Sequence, residues 1–218
     1  MLHSNSRENQ DLVLTAIYGG KRNGTYLELG GADPQVDNNT YLLEKQFGWR
    51  GVSVDMNGSL AEAWKNNRTN PCLHVDATTI DYNRLFEEHN LGVNIDFLQL
   101  DIDGTNQGLN SYSLQVLETL DLDRYHFGFV SFEHNLYLDP TSPERQRSRA
   151  ILRDKGYTPL IMDVKHGEWV FEDWWIWEPM MPNDNWRRLV GEGVNMRGEP
   201  TAELRAILEE LGPGLYSS

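Results

Sequence analysis

The sequence is short of basic residues, of cysteine and of long apolar runs, and each shortage excludes a class of protein. With 33 acidic side chains against 19 Lys and Arg, the formal net charge is -14, which repels nucleic-acid backbones. The single cysteine, Cys72, excludes an internal disulfide and a cysteine-only zinc site. No apolar run reaches the roughly 18 residues of a membrane span, and the N-terminus lacks the apolar segment of a signal peptide. We therefore expect a cytoplasmic protein that binds neither nucleic acid nor membrane.

Strand-length apolar segments alternate with segments of helical periodicity along most of the 218 residues. The predicted strands are "TYLEL", "RGVSVD", "PCLHVDA", "IDFLQL" and "FGFVSFE", each followed by a helix. Five such units predict an α/β fold in which helices wrap a parallel sheet. "YTPLIMDV" and "EWVFEDWWIWE", separated by "KHG", predict a hairpin that adds an antiparallel strand. No repeat or linker marks a second domain, so we predict one domain over residues 1–218.

Ligands in sheets of this kind bind beyond the carboxyl ends of the strands. The residues at those ends are Gly30, Asp55, Asp76, Asp101 and Glu133. Any one of the aspartates could simply cap the helix that follows it. Carboxylates at four of the five strand ends together indicate a ligand site.

The turn after the first predicted strand indicates which ligand this is. Gly30 and Gly31 permit a tight turn with close backbone approach, and Ala32 keeps the turn small. The second and third glycines of the G-x-G-x-x-G dinucleotide motif are missing. Glu28 and Asp33 flank the place of a pyrophosphate, and their negative charge favours a cationic or zwitterionic ligand. S-adenosylmethionine (SAM), which has a sulfonium and no phosphate, is such a ligand.

The candidate contacts for an adenosine follow one β-α-β unit later. Asp55, with Met56 beside it, could accept hydrogen bonds from both ribose hydroxyls. Asp76, which precedes Ala77, could accept one from the exocyclic amine of adenine. These positions predict an adenosine-containing cofactor.

Four blocks of the sequence resemble the FkbM-type methyltransferases, a class I SAM-dependent family. They are "TYLELGGADPQVDNNTYLLEKQFGWRGVSVD", "IDFLQLDIDG", "FVSFEHN" and "EDWW", in the order of that family. The resemblance implies the three-layer Rossmann-like class I methyltransferase fold, with a mostly parallel seven-stranded sheet, over a core of about residues 24–178. It leaves 179–218 as a C-terminal extension that ends in a helix.

The resemblance also implies a reaction and a set of contacts. The reaction is methyl transfer to an oxygen, often on a sugar or a small metabolite. Matched by position, the implied cofactor contacts are Glu28, Gly30 and Ala32 for the methionine part, Asp55 for the ribose, Asp76 and Ala77 for the adenine, and Asp101 near the reacting methyl.

Two arrangements could activate an acceptor hydroxyl. Asp101 and Asp103 are two residues apart and would share one face of a strand. His134 is the preferred general base, because imidazole titrates near neutral pH, although it could instead be a solvated or helix-capping histidine. Alternatively, Asp101, Glu133 and Asn135 could offer oxygen ligands to Mg²⁺, which would lower the pKa of a bound hydroxyl.

The aromatic segment "EWVFEDWWIWE" has two interpretations. Alternation of Trp169, Phe171 and a later tryptophan predicts a strand that fills a core. Alternatively, Trp174, Trp175 or Trp177 could line an acceptor pocket and stack on a sugar ring.

One predicted helix carries Arg145, Arg149 and Arg153 at i, i+4 spacing. This pattern predicts a solvated helix face. In so acidic a protein it could instead mark an anionic acceptor or a partner.

The leading hypothesis is a SAM-dependent O-methyltransferase that acts on a hydroxyl of a small acceptor, with a sugar or glycan favoured. One alternative is an NAD(P)-dependent oxidoreductase, which the missing motif glycines disfavour. The other is a non-catalytic module for adenosine-cofactor binding or assembly. The sequence leaves a homo-oligomer open.

Overall fold

Eight strands form one sheet in the computed structural model, which describes residues 2–102 and 112–212. The strands are β1 (Thr25–Leu29), β2 (Arg50–Val54), β3 (Cys72–Leu73), β4 (Asn94–Leu100), β5 (His126–Glu133), β6 (Thr158–His166), β7 (Trp169–Ile176) and β8 (Gly191–Glu192). Their order is β3-β2-β1-β4-β5-β7-β6-β8. Strand β7 is antiparallel to its neighbours β5 and β6, and the other pairings are parallel. The predicted parallel sheet with an antiparallel C-terminal hairpin is confirmed.

Two hydrophobic clusters, one on each face of the sheet, make the fold three-layered. The helices are α1 (Gln10–Ile17), α2 (Tyr41–Phe47), α3 (Ala61–Asn67), α4 (Tyr82–Glu88), α5 (Tyr112–Thr119), α6 (Glu144–Asp154) and α7 (Ala202–Leu211). Apolar side chains of α1, α2 and α7 pack on one face, and those of α4, α5 and α6 pack on the other. None of the described helices has the length and apolar character that crossing a membrane requires.

The sheet differs from the predicted seven strands at its two edges. The two-residue β8 adds an eighth strand beside β6. The third predicted strand, "PCLHVDA", is reduced to Cys72–Leu73, because Asp76 accepts the Thr78 N–H at 2.9 Å and begins a 3₁₀ turn over Ala77–Thr79. The chain leaves the sheet there.

The strand order reverses between β1 and β4. From β1 the chain moves outward through β2 and β3, and β4 then returns to the other side of β1. A crevice opens at such a switch point, outside the carboxyl ends of the strands. Gly30 follows β1 and Asp101 follows β4, so this topology brings two of the predicted site residues to one crevice.

Candidate active site

A cavity of about 600 Å³ lies at the carboxyl-terminal edge of the sheet, a size typical of small-molecule sites. One end of the cavity is formed by the residues that follow β1, β2 and β4. The other end is formed by the N-terminal segment and the β6–β7 hairpin. Of the predicted site residues, the cavity wall contains Gly30, Ala32, Asp55, Met56, Ala77, Asp101 and Glu133.

Gly30 makes the tightest backbone contact of the cavity wall. Its φ is +83°, and a Cβ placed on it would lie 1.7 Å from the carbonyl oxygen of Asp101. Only glycine fits such a position, because it combines a left-handed conformation with direct backbone contact. Gln99 Nε2 donates to the Gly30 carbonyl at 3.1 Å and fixes its direction. The turns after β1 and β4 are therefore held together at the switch point.

Asp55 directly follows β2 and lines the cavity. Its Oδ2 accepts the Ala32 N–H at 2.8 Å, and its Oδ1 accepts the Asn57 N–H at 2.7 Å. An ionised carboxylate has about four acceptor positions, so each oxygen keeps capacity for a further donor. The exposed Met56 and Val75 form an apolar rim next to it. This part of the wall offers acceptors beside an apolar slot.

Glu28 and Asp76 support this wall from outside the cavity. Glu28 is fully buried, where its Oε2 accepts from Ser53 Oγ at 2.5 Å and from Thr40 Oγ1 at 3.0 Å. Burial raises the pKa of Glu28. Asp76 accepts from the Thr78 N–H and Oγ1 as a cap. Neither side chain lines the cavity, so the direct cofactor contacts predicted for them are not formed by this geometry; Ala77, next to Asp76, does line it.

Arg68, which no pattern in the sequence singled out, fixes the loop between β1 and α2. Its buried guanidinium donates to Glu44 Oε2 at 2.7 Å, to Thr40 Oγ1 at 2.7 Å and to the Pro34 carbonyl at 3.1 Å. The same group donates to the Tyr26 hydroxyl at 2.9 Å. The loop that carries Ala32 is thereby held from behind.

His134 lies outside the cavity, contrary to its predicted role as the general base. Its side chain is fully buried, with Nε2 at 3.5 Å from Asp173 and at 3.9 Å from Asp163. Asp163 and Asp173 also pair with Arg149 at 2.7 Å and 2.6 Å. Burial raises the pKa of Asp173, but hydrogen bonds from Arg149 and His134 outweigh it and hold that pKa below its usual range. His134 is therefore buried beside Asp163, Asp173 and Arg149 and does not line the cavity.

The same cluster corrects the interpretation of the arginine-rich helix α6. Arg145 donates to Asp163 at 2.7 Å and Arg149 is largely buried, so these two arginines do not form a solvated face. Arg153 lies over the ring of Trp175 at 5.5 Å. Arg145 and Arg149 are paired with carboxylates of the hairpin, so the three arginines do not form one free face for an anionic acceptor.

The predicted Mg²⁺ ligands are not brought together. Asp101 and Glu133 line the cavity, whereas Asn135 is buried beyond the end of β5 and does not. Among the described residues, one trio of His, Cys, Asp or Glu has ligand atoms within 4.8 Å of one another: His134, Asp163 and Asp173. Its two carboxylates are already neutralised by guanidinium groups, which disfavours a cation there. Asp103 lies outside the described residues.

Aromatic side chains at the far end of the cavity come from the hairpin. Trp169 is 56% exposed and stacks with Tyr137 at 5.5 Å and with His166 at 5.8 Å between ring centroids. Trp174 and Trp175 are fully buried in the core, so their predicted place in an acceptor pocket was wrong. Trp177, stacked on His126, does not line the cavity either. Trp169, which was predicted to fill a core, lines the cavity instead, whereas Phe171 packs against the core as predicted and also lines the cavity.

Glu172 is a cavity residue that the sequence interpretation missed. It is 3% exposed and pairs directly across the sheet with Glu133 in the β5–β7 register. Gln10 Nε2 donates to its Oε1 at 2.9 Å. Burial raises the pKa of Glu172 well above its usual range, and the charges of Glu8 and Asp101 raise it further. A glutamate between aromatic residues of a buried strand is the signal that could have identified it.

Comparison with solved structures relates this arrangement to methyltransferases. The chain is similar to human methyltransferase-like protein 13 in complex with SAH, with a TM-score of 0.52 at 14% identity over 97% of this chain and 93% of that one. The N-methyltransferase NodS of Bradyrhizobium japonicum with SAH gives 0.48 at 13% identity, over 81% and 87% of the two chains. A SAM-dependent methyltransferase of Aquifex aeolicus gives 0.46 at 18% identity, over 79% and 94%.

No protein-family model matches the chain, and no curated protein sequence matches it. The likeness to the human protein therefore concerns the fold, and it agrees with the sheet order and the antiparallel β7. The chain has the mixed, mostly parallel Rossmann-like fold of the class I SAM-dependent methyltransferases.

Proposed function

We propose that the protein is a SAM-dependent O-methyltransferase that acts on a hydroxyl of a small acceptor, with a sugar or glycan favoured. The observation that carries the proposal is the joint position of the Gly30 turn, Asp55 and Asp101 around one cavity at the switch point. The human protein that shares the fold was solved with SAH.

The residues on the cofactor side fit SAM. Asp55 keeps acceptor capacity for ribose hydroxyls after binding two backbone amides. The adenine would lie between the apolar side chains of Met56, Val75 and Ala77. The Gly30 turn allows the methionine part to approach the backbone. Asp101 offers negative charge to the ammonium or the sulfonium.

The charges of the cavity favour SAM over a dinucleotide. Asp101 and Glu133 line the same cavity as the Gly30 turn, and their negative charge would repel a pyrophosphate. When bound, SAM supplies an electrophilic methyl group on a positively charged sulfur. The protein residues would orient the acceptor oxygen, and alignment of this kind is worth about 7–11 kcal/mol.

The acceptor would occupy the far end of the cavity. Trp169 offers a flat, exposed ring there, and large aromatic rings suit the apolar face of a sugar. Glu172 and Glu133 offer acceptors for hydroxyl groups nearby. This arrangement favours a neutral, hydroxyl-bearing acceptor over an anionic one.

Calorimetric titration with SAM and with NADH tests the cofactor. We expect micromolar binding of SAM alone, and weaker binding of SAM by Asp55→Ala. Losing a charged acceptor for ribose hydroxyls costs about 1.5–3 kcal/mol, roughly a 10- to 150-fold loss of affinity. Val93→Ala, an exposed position away from the cavity, is the matched control. Unchanged affinity in Asp55→Ala would remove the assignment, and tight NADH binding would favour an oxidoreductase.

Transfer of a labelled methyl group to a panel of methyl glycosides tests the acceptor class. Parallel reactions with EDTA and with added Mg²⁺ test the metal, and EDTA-insensitive transfer would exclude it. SAM binding without transfer to any acceptor would favour a non-catalytic module.

A further inference from the structure

Glu172 has an unusual place for a carboxyl group, inside a strand and yet in the wall of the cavity. Glu172 is only 3% exposed, and it lines the same cavity as Gly30 and Asp101. Gln10 Nε2 and Trp174 Nε1 both donate to its Oε1, at 2.9 Å and 2.5 Å. Both hydrogen bonds to its carboxyl from the described residues reach that one oxygen, which leaves Oε2 for the cavity.

Negative charge dominates the surroundings of Glu172. Glu133 lies directly opposite on β5. The negative charges of Glu8 and Asp101 raise the pKa of Glu172. The titratable and charged groups that share its cavity come from several elements: Glu8 and Arg7 from the N-terminal segment, Asp37 and Asp55 from the cofactor side, Asp101 after β4, Glu133 on β5, Tyr137 after β5 and His166 on β6.

The basic side chains of the cavity wall, Arg7 and His166, already have partners. Arg7 donates to Asp37 at 2.9 Å. His166 Nδ1 lies 2.5 Å from Glu8 Oε1, and its Nε2 contacts Arg197. In the described part of the chain, neither Arg7 nor His166 is paired with Glu172. We therefore expect Glu172 to be protonated before a ligand binds, because burial and like charges both oppose its ionisation.

We propose that Glu172 is the proton acceptor for the substrate hydroxyl, and that it loses its resting proton when the sulfonium of SAM binds beside Asp101. The proposal rests on the function proposed above. The charge of Asp101 already acts on Glu172 across the cavity, so a positive charge held near Asp101 would act over a similar distance with the opposite sign.

Protons and charge balance over one cycle. Binding of the sulfonium drives the Glu172 proton to solvent. The oxygen of the acceptor hydroxyl then bonds to the methyl carbon, and Glu172 Oε2 takes the proton of that hydroxyl. The carbon–sulfur bond breaks, and its electron pair stays on sulfur. Glu172 ends the cycle protonated, as it began. The base is therefore ionised only while the methyl donor is present.

Calorimetry in two buffers of different ionisation enthalpy, such as phosphate and Tris, measures the protons released on binding. SAM and SAH differ at the sulfur, where SAM carries a methyl group and a positive charge. We expect the wild type at pH 7 to release up to one more proton with SAM than with SAH. We expect Glu172→Gln, which keeps the acceptor for Gln10 and Trp174, to bind SAH as before and to lose that difference. Glu168→Gln, at the exposed hairpin turn, should keep it.

Equal proton release with SAM and SAH, or a difference that persists in Glu172→Gln, would overturn the proposal while leaving SAM binding intact. Failure of the wild type to bind SAM would instead remove the proposed function, and this inference with it.

In methyl transfer from tritiated SAM to a small-molecule extract, Glu172→Gln should reduce the rate by about 10²–10⁴-fold. An unchanged rate would assign the proton to another group.

Discussion

The contact between Gly30 and Asp101 supports a quantitative prediction for Gly30→Ala. An alanine at a φ of +83° costs about 1–2 kcal/mol in backbone strain. Its Cβ would also lie 1.7 Å from the Asp101 carbonyl oxygen, so one of the two turns must move, and overpacking of this kind costs a further 1–3 kcal/mol or so. We expect a total loss of roughly 2–5 kcal/mol in the free energy of unfolding, together with loss of SAM binding.

Gly92→Ala separates the two contributions. Gly92 has a φ of +77°, and a Cβ placed on it would meet nothing within 4 Å. This variant should show the backbone strain alone, about 1–2 kcal/mol, with SAM affinity unchanged. Urea denaturation of both variants measures the difference, since the effect of alanine on the unfolded chain is common to them. Equal losses in the two variants, or normal SAM binding by Gly30→Ala, would refute the reasoning.

Other predictions concern the buried charges and the exposed tryptophan. Arg149→Ala leaves Asp173 buried with its main cation removed, and we expect a loss of about 3–5 kcal/mol by urea denaturation; a loss below 1 kcal/mol or so would contradict the buried pair. Because the pKa of Glu172 is raised in the folded state, its ionisation opposes folding, so the stability of the wild type relative to Glu172→Gln should fall as pH rises above 4.5, the usual carboxyl value. A pH-independent difference would contradict that shift. Trp169→Ala should raise the KM for the acceptor with SAM affinity unchanged, and a loss of SAM affinity would move Trp169 to the cofactor side.

The meeting of Gly30, Asp55 and Asp101 at one edge of the sheet could be predicted because it depends on local sequence. The first predicted strand, "TYLEL", coincides with β1, and its end fixes Gly30 at the edge of the sheet. The ends of β2 and β4 place Asp55 and Asp101 in the same way. Strand ends of a parallel sheet meet at one edge whatever the strand order, so no long-range pairing had to be known.

The place of Glu172 in the cavity wall could not be predicted because it depends on pairing between distant segments. Glu172 faces the cavity because β7 inserts between β5 and β6, which sets it opposite Glu133. A shift of one residue in that register would turn it to the other face. His134 showed the reverse error: it follows Glu133 directly, but its side chain packs against Asp163 and Asp173 of the hairpin. Adjacent residues point to opposite sides of a strand, and the sequence does not tell which side meets the cavity.

The most direct test of the account is a crystal structure of the protein with SAH. We predict the ribose hydroxyls on the Asp55 carboxylate, the adenine against Met56 and Ala77, and the homocysteine along the Gly30 turn beside Asp101. SAH bound elsewhere on the chain, or a cavity that stays without SAH at saturating concentration, would contradict the central claim that this cavity is a SAM site.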